Sequence, residues 1–148
     1  MIADKYMFYL SFENSICKDY ITEKFFDPLQ TNIVPVVFGG ANHSGISPPH
    51  SFIDASKSET PEALANLLNK IANNDALYAS YFWWKDYYSV GGFSPQDRAQ
   101  APCTVCQMLH QEEGKEVEVY QDINRWWVEE AECTSYEKIV KEKISDRK

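Results

Sequence analysis

The sequence is short of positive charge, of long apolar runs and of metal-ligand spacings. Fourteen Lys and Arg residues stand against 22 Asp and Glu, a net charge of −8. A chain that grips nucleic acid through its phosphates needs a basic face, so this balance argues against nucleic acid. It leaves room for a nucleotide, whose few phosphates need one or two cations. No stretch approaches the roughly 18 uninterrupted apolar residues of a membrane-spanning helix. The opening Met1-Ile2-Ala3-Asp4-Lys5 has no apolar signal core. There is no Asp-x-Asp pair, the usual device for holding a diphosphate through a divalent cation, so a metal-independent site is favoured. His43, His50 and His110 have no metal-ligand spacing, and His43 and His50 read as solvated or loop-bonded.

Cysteine is sparse as well: Cys17, Cys103, Cys106 and Cys133. Cys103-Thr104-Val105-Cys106 is a CxxC. Zinc would need two more ligands, with His110 and Cys133 the candidates. A redox motif would want a helix N-terminus following a strand, and the polar stretch before Pro102 does not supply it. Disulfides in an oxidising compartment fit better. Asn42-His43-Ser44 is an N-glycosylation sequon, which together with disulfides points to a luminal or extracellular setting.

What is present has the rhythm of an α/β fold. The 148 residues suffice for one domain with a core. Residues 6–12 read as a buried strand, 13–19 as a loop and 20–30 as a short helix capped by Asp19 or Thr22. Residues 33–38 form a second strand, and Pro35 points to an edge position or the strand start. Gly39-Gly40 ends it, a loop follows, and residues 51–54 are a brief third strand. Thr60 caps the next helix, Pro61 occupies its first position, and Leu64, Leu67, Leu68 and Ile71 form one stripe. A further helix runs from about 75 to 85. Strand–helix–strand–strand–helix is the order of a parallel sheet. Beyond residue 90, Gly91, Gly92 and Pro95 make a linker, residues 97–127 read as irregular helices carrying the CxxC, and residues 128–148 as a solvated charged tail. A strand pattern that begins by Tyr6 reads as part of something longer.

The functional signal is concentrated in residues 12–24, FENSICKDYITEK, between the first strand and the first helix. A helix start there offers free N–H groups and a positive dipole end to an anion. Adjacent Glu23 and Lys24 alone would be ordinary solvated surface. Asn14, Ser15, Tyr20 and Thr22 beside them add hydrogen-bonding groups, and in a nucleotide-sugar site such a cluster would have separate jobs. Lys24 neutralises a diphosphate, Glu23 takes sugar hydroxyls, and amides or hydroxyls orient the pyrophosphate. Glu13 lies on the same side of the site and is not assigned as a base. Seven aromatics fall within residues 78–88: Tyr78, Tyr81, Phe82, Trp83, Trp84, Tyr87 and Tyr88. Helix packing accounts for most of them, and an interface or carbohydrate platform for the rest.

FENSICKDYITEK, with the preceding Tyr9-Leu10-Ser11, closely resembles the signature of the α-1,3-fucosyltransferases, glycosyltransferase family 10. The resemblance continues through Val34-Pro35-Val36-Val37-Phe38-Gly39 and Pro48-Pro49-His50-Ser51-Phe52-Ile53-Asp54. Tyr81-Phe82-Trp83-Trp84-Lys85, the CxxC and Trp126-Trp127 complete it. Departures are Ala55-Ser56-Lys57, where an acidic-aromatic step is usual, and the segment from Asp27 to Asn32.

The resemblance implies a Rossmann-like parallel sheet, the C-terminal half of a GT-B glycosyltransferase, with a helical, cysteine-containing C-terminal extension. Residues 1–90 would be the GDP-fucose-binding domain, 91–127 the helical segment with the CxxC, and 128–148 the charged tail. Fucose would pass from GDP-fucose to the 3-hydroxyl of an N-acetylglucosamine, with inversion and no metal or other cofactor. Asn14, Ser15, Tyr20, Thr22, Glu23 and Lys24 would bind the donor. Cys103 and Cys106 are the implied disulfide candidates, their partners lying in an N-terminal half, and Asn42 is the glycosylation candidate. The catalytic base, the acceptor domain and the membrane anchor of a Golgi enzyme would belong to that missing half. The partners implied are a nucleotide sugar and a glycan acceptor. The alternative is a non-catalytic GDP-sugar-binding or interaction module.

Overall fold

A central, β-branched strand organises the molecule. The computed structural model describes residues 5–91, 95–111 and 119–139. Strand β1 (Phe8–Phe12) pairs in parallel with β2 (Val34–Phe38), from Phe8↔Val34 to Phe12↔Phe38. Strand β3 (Ile53–Asp54) pairs in parallel with the other side of β2, opposite Val36 and Val37. The sheet order is therefore β1-β2-β3, and the fold is a small α/β domain. Val34 and Val36 pack on one face with Ile53, Ile71 and Tyr81, while Val37 packs on the other with Phe25, Leu29 and Trp84. A strand covered on both faces is the form parallel sheets take, which is why β2 is apolar without alternation.

Pro35 lies in the central strand, not at an edge, and only its reading as a strand start holds. The reason is local. Val34 N donates to Met7 O at 3.0 Å, so alternation turns the ring nitrogen of Pro35 toward β3. Pairing with β3 begins only at Val36, so no ladder bond is lost.

Helix α1 (Glu23–Leu29) starts at Thr22, whose side chain accepts from Lys24 N. Of the two caps the sequence offered, Thr22 is used, and Asp19 instead adopts a left-handed backbone with φ 58°. Helix α2 (Pro61–Ala72) is capped as expected, Thr60 Oγ1 accepting from Ala63 N at 2.9 Å. Its Ile71 is fully buried, whereas Leu67 stays largely exposed at the edge of the stripe. Asn74 caps α3 (Asp75–Ala79), accepting from Leu77 N at 3.0 Å. The single helix expected from 75 to 85 tightens after Ala79 into a 3-10 helix, Ser80–Asp86.

That tightening distributes the aromatic run. Tyr81 and Trp84 are buried, with Trp84 Nε1 donating to Tyr81 O at 2.9 Å. The Tyr78 hydroxyl lies 3.0 and 2.9 Å from the carbonyls of Met7 and Asn32, tying α3 to the start of β1 and β2. Trp83 Nε1 reaches Pro49 O at 2.9 Å while its ring remains largely exposed, as do Tyr87 and Tyr88. Buried aromatics of this size contribute roughly 1.5–3 kcal/mol each, so Tyr81 and Trp84 hold this segment to the sheet.

Beyond the core, α4 (Pro95–Gln111) is one helix, where irregular helices were expected, and it carries both Cys103 and Cys106 on exposed turns. A π-helical turn, Arg125–Glu129, precedes the end of the described chain. The solvated tail expected from residue 128 does not extend to Ala131–Tyr136, which returns to the loop after β1. The Glu137–Lys141 pair read from the sequence lies outside the described residues.

Candidate functional site

The C-terminal ends of the three parallel strands lie along one edge of the sheet, where ligands of open α/β sheets bind. The loop after β1 carries the motif. Its first residue, Glu13, continues the strand ladder by donating from N to Phe38 O at 3.0 Å. This turns the Glu13 side chain inward, and the residue as a whole is only 2 % exposed. Its Oε1 accepts from Thr22 N at 2.8 Å and its Oε2 from Thr22 Oγ1 at 2.8 Å. Lys24 Nζ stands 3.7 Å from Oε2 and 4.0 Å from Glu23 Oε1.

A buried carboxylate therefore organises the start of α1. Some of the N–H groups at this helix start are thus satisfied from within the motif. Thr22 N is taken by Glu13 and Lys24 N by the Thr22 hydroxyl. Beside these bonds stands the Lys24 ammonium, held by Glu13 and only partly exposed. Asn14, Ser15 and Glu23 are exposed and Tyr20 is half-buried, so their polar groups lie open at the surface. Glu13 was passed over as a site residue. The signal for it was its place directly after an alternating strand, where the next inward position falls.

Loop and sheet fit closely. A Cβ at Gly40 would stand 2.4 Å from Cys17 O, and one at Gly39 would stand 3.3 Å from Glu13 Cγ. On its other side the loop borders a cleft of about 640 Å³, lined by Ser15, Lys18, Tyr20, Trp126, Trp127 and Val128 among others.

The disulfide is not on the CxxC. It joins Cys17, inside the motif, to Cys133, and Cys103 and Cys106 are free and exposed. The bond also removes Cys133 from the zinc set that the CxxC and His110 suggested. Among the described residues no group of three or more His, Cys, Asp or Glu could hold a metal ion. Asn42 is exposed.

Of the two readings of His43, solvated or loop-bonded, the first is corrected: it is buried, with its ring edge-on to Phe25 at 4.9 Å. Burial lowers its pKa from the ordinary 6.5, against hydrogen bonding to Ala41 and the charges of Asp54 and Glu13, all of which raise it. The unfolded chain then binds this proton more readily than the folded one. Stability from neutral His43 is complete above about pH 6.5 and is lost as pH falls below it. Urea midpoints from pH 7.5 to 5.0 should fall less for His43→Gln than for the wild type; equal slopes would contradict this. His50 is loop-bonded, its Nε2 2.9 Å from Ser80 Oγ and its ring stacked on Tyr81.

With this geometry in view, comparison with known proteins is decisive. The family model for the C-terminal part of glycosyltransferase family 10 (fucosyltransferase) matches residues 1–126. The chain belongs to that family. Glycosyltransferase family 10 relatives include alpha-(1,3)-fucosyltransferase C of Drosophila melanogaster, 44% identical over 86% of this chain and 29% of its own length. Glycoprotein 3-alpha-L-fucosyltransferase A of the same organism is 38% identical over 91% of this chain and 26% of its own length. The mouse 4-galactosyl-N-acetylglucosaminide 3-alpha-L-fucosyltransferase 9 is 36% identical over 81% of this chain and 33% of its own length. The chain thus spans between a quarter and a third of these family 10 glycosyltransferases.

Proposed function

We propose that this chain is the donor-binding half of an α-1,3-fucosyltransferase, holding GDP-fucose for transfer to the 3-hydroxyl of an N-acetylglucosamine. One observation carries the reading. In a family 10 chain, the buried Glu13 carboxylate aims Lys24 at the edge of the sheet where a ligand would sit. Lys24 meets the diphosphate, Glu23 the ribose or fucose hydroxyls, and Asn14, Ser15, Tyr20 and Thr22 line the nucleotide pocket. The three relatives are named as 3-fucosyltransferases, which supports the linkage.

The reaction divides between two halves of a protein. The acceptor oxygen forms a bond to the anomeric carbon as the bond to GDP breaks from the opposite face, giving inversion. Negative charge then grows on the departing diphosphate, which a preplaced cation stabilises. Lys24 supplies that cation, so a divalent metal is not required. A base must take the acceptor proton within hydrogen-bond reach, and we assign it to an acceptor domain and not to the described residues. The sheet has room for the arrangement. Among the described residues β1 pairs on one side only, and Leu10 on it is 60% exposed. Further strands across that edge would complete a Rossmann-like sheet in a GT-B enzyme. A Golgi location, reached through an N-terminal membrane anchor, and glycosylation at exposed Asn42 belong to the same reading.

Calorimetry with GDP tests it. The wild-type chain should bind, and Lys24→Ala should bind about ten- to a hundredfold more weakly, one decade being 1.4 kcal/mol. Unchanged affinity in Lys24→Ala would remove the phosphate role. No binding by the wild type would favour the interaction-module alternative.

A further inference from the structure

The segment Ala131–Tyr136 lies past the family match, which ends at residue 126, yet it makes close contacts with the motif loop. Lys18 N donates to Ala131 O at 2.8 Å, and Thr134 N donates to Ile16 O at 2.8 Å in an antiparallel bridge. Between those two bonds lies the Cys17–Cys133 disulfide. At the far end the Tyr136 hydroxyl donates to the backbone carbonyl of Glu13, the residue whose side chain positions Thr22 and Lys24. The Tyr136 ring stacks on Phe38 at the end of β2, with centroids 5.5 Å apart and planes 26° apart. Asp19 and Glu132, flanking these contacts on the two chains, both take left-handed backbone conformations, with φ 58° and 50°.

The loop mixes buried and open positions. Ile16 and Cys17 are buried, but Asn14, Ser15, Lys18 and Asp19 are exposed. Gly40 backs the loop from the sheet side at Cys17 O, and Ala131–Tyr136 closes it from the other. Four residues of the loop, Glu13, Ile16, Cys17 and Lys18, are thereby tied by a segment more than a hundred residues away. A loop ordered before its ligand arrives does not pay its ordering entropy on binding.

We propose that Ala131–Tyr136 is a positioning strap for the donor loop, and that Tyr136 and Cys133 are positioning residues for the nucleotide diphosphate. The strap acts through the loop. It sets where Asn14 and Ser15 stand relative to Lys24, and it meets the sheet through Tyr136 on Phe38, outside the two apolar cores. The inference rests on the GDP-fucose reading of the loop.

The test is GDP titration into the full chain, wild type against Tyr136→Phe and Cys133→Ser, with amide hydrogen exchange on each. Tyr136→Phe keeps the stack on Phe38 and loses only the hydroxyl, so it preserves the fold even if Cys133→Ser does not. GDP should bind each variant about three- to tenfold more weakly, the upper figure being one decade or 1.4 kcal/mol. Exchange at residues 14–18 should quicken while exchange at Val34–Phe38 stays as in the wild type, and saturating GDP should restore the loop's protection. Wild-type affinity in Tyr136→Phe, with faster exchange at 14–18, would reduce the strap to a structural tie and overturn the proposal. A wild-type chain that binds no GDP would overturn the donor reading first and this inference with it.

Discussion

Glu13→Ala should be destabilised by about 2–6 kcal/mol, since two part-buried Thr22 donors lose their acceptor at about 1–3 kcal/mol each. Three things happen at once. The Thr22 amide and hydroxyl lose their acceptors at 2.8 Å, and Lys24 loses the carboxylate 3.7 Å away. Water cannot repair this readily, because the Glu13 side chain is only 1% exposed. Glu13→Gln keeps the shape and one acceptor oxygen, so it should lose about 1–3 kcal/mol, the range for leaving a buried group unsatisfied. Urea unfolding of both variants measures the difference. The two variants should also bind GDP more weakly in the same order, since Glu13 aims Lys24. A Glu13→Ala chain as stable as the wild type would mean the carboxylate is not what holds the start of α1.

Gly40→Ala tests the other wall of the loop. The added methyl would meet the Cys17 carbonyl at 2.4 Å, and that oxygen is backbone, with no rotamer to escape into. Overpacking of a close-packed site costs about 1–3 kcal/mol, and here the upper end is expected because the Cys17–Cys133 bond resists retreat of the loop. Gly91→Ala, where a Cβ meets nothing within 4 Å, is the matched control and should be neutral. Thermal unfolding of the two variants separates a steric effect at Gly40 from a general loss of glycine freedom. Equal stability of Gly40→Ala and Gly91→Ala would show that the loop moves aside at little cost.

Much of the fold was legible because it depends on neighbours in sequence. Thr60 and Pro61 start α2, Asn74 starts α3, and Thr22 starts α1, each through a side-chain bond to an amide two or three residues on. The apolar run of β2 marked a strand for the same reason, as its side chains alone say that both faces are covered. The family was legible too, since FENSICKDYITEK is contiguous and specific.

The cysteine pairing was not legible. Cys103 and Cys106 stand close in sequence and suggest chemistry, but α4 presents them on exposed turns with no partner cysteine in reach. Cys17 and Cys133 are 116 residues apart, and only the return of Ala131–Tyr136 to the loop brings them together. Pro35 was ambiguous for a similar reason: a proline in a strand reads as an edge until the short reach of β3 shows which side has no partner.

By itself, then, the sequence determined the parallel α/β order, the helix starts and the family. These follow from local hydrogen bonding, apolar periodicity and a contiguous motif. Only the tertiary structure decided that Glu13 is buried beneath the motif, that His43 is enclosed by aromatic rings, and that Cys133 and Tyr136 close over the loop. Each of those facts depends on contacts between distant segments, where burial, and not residue type, sets what a carboxylate, an imidazole or a thiol does.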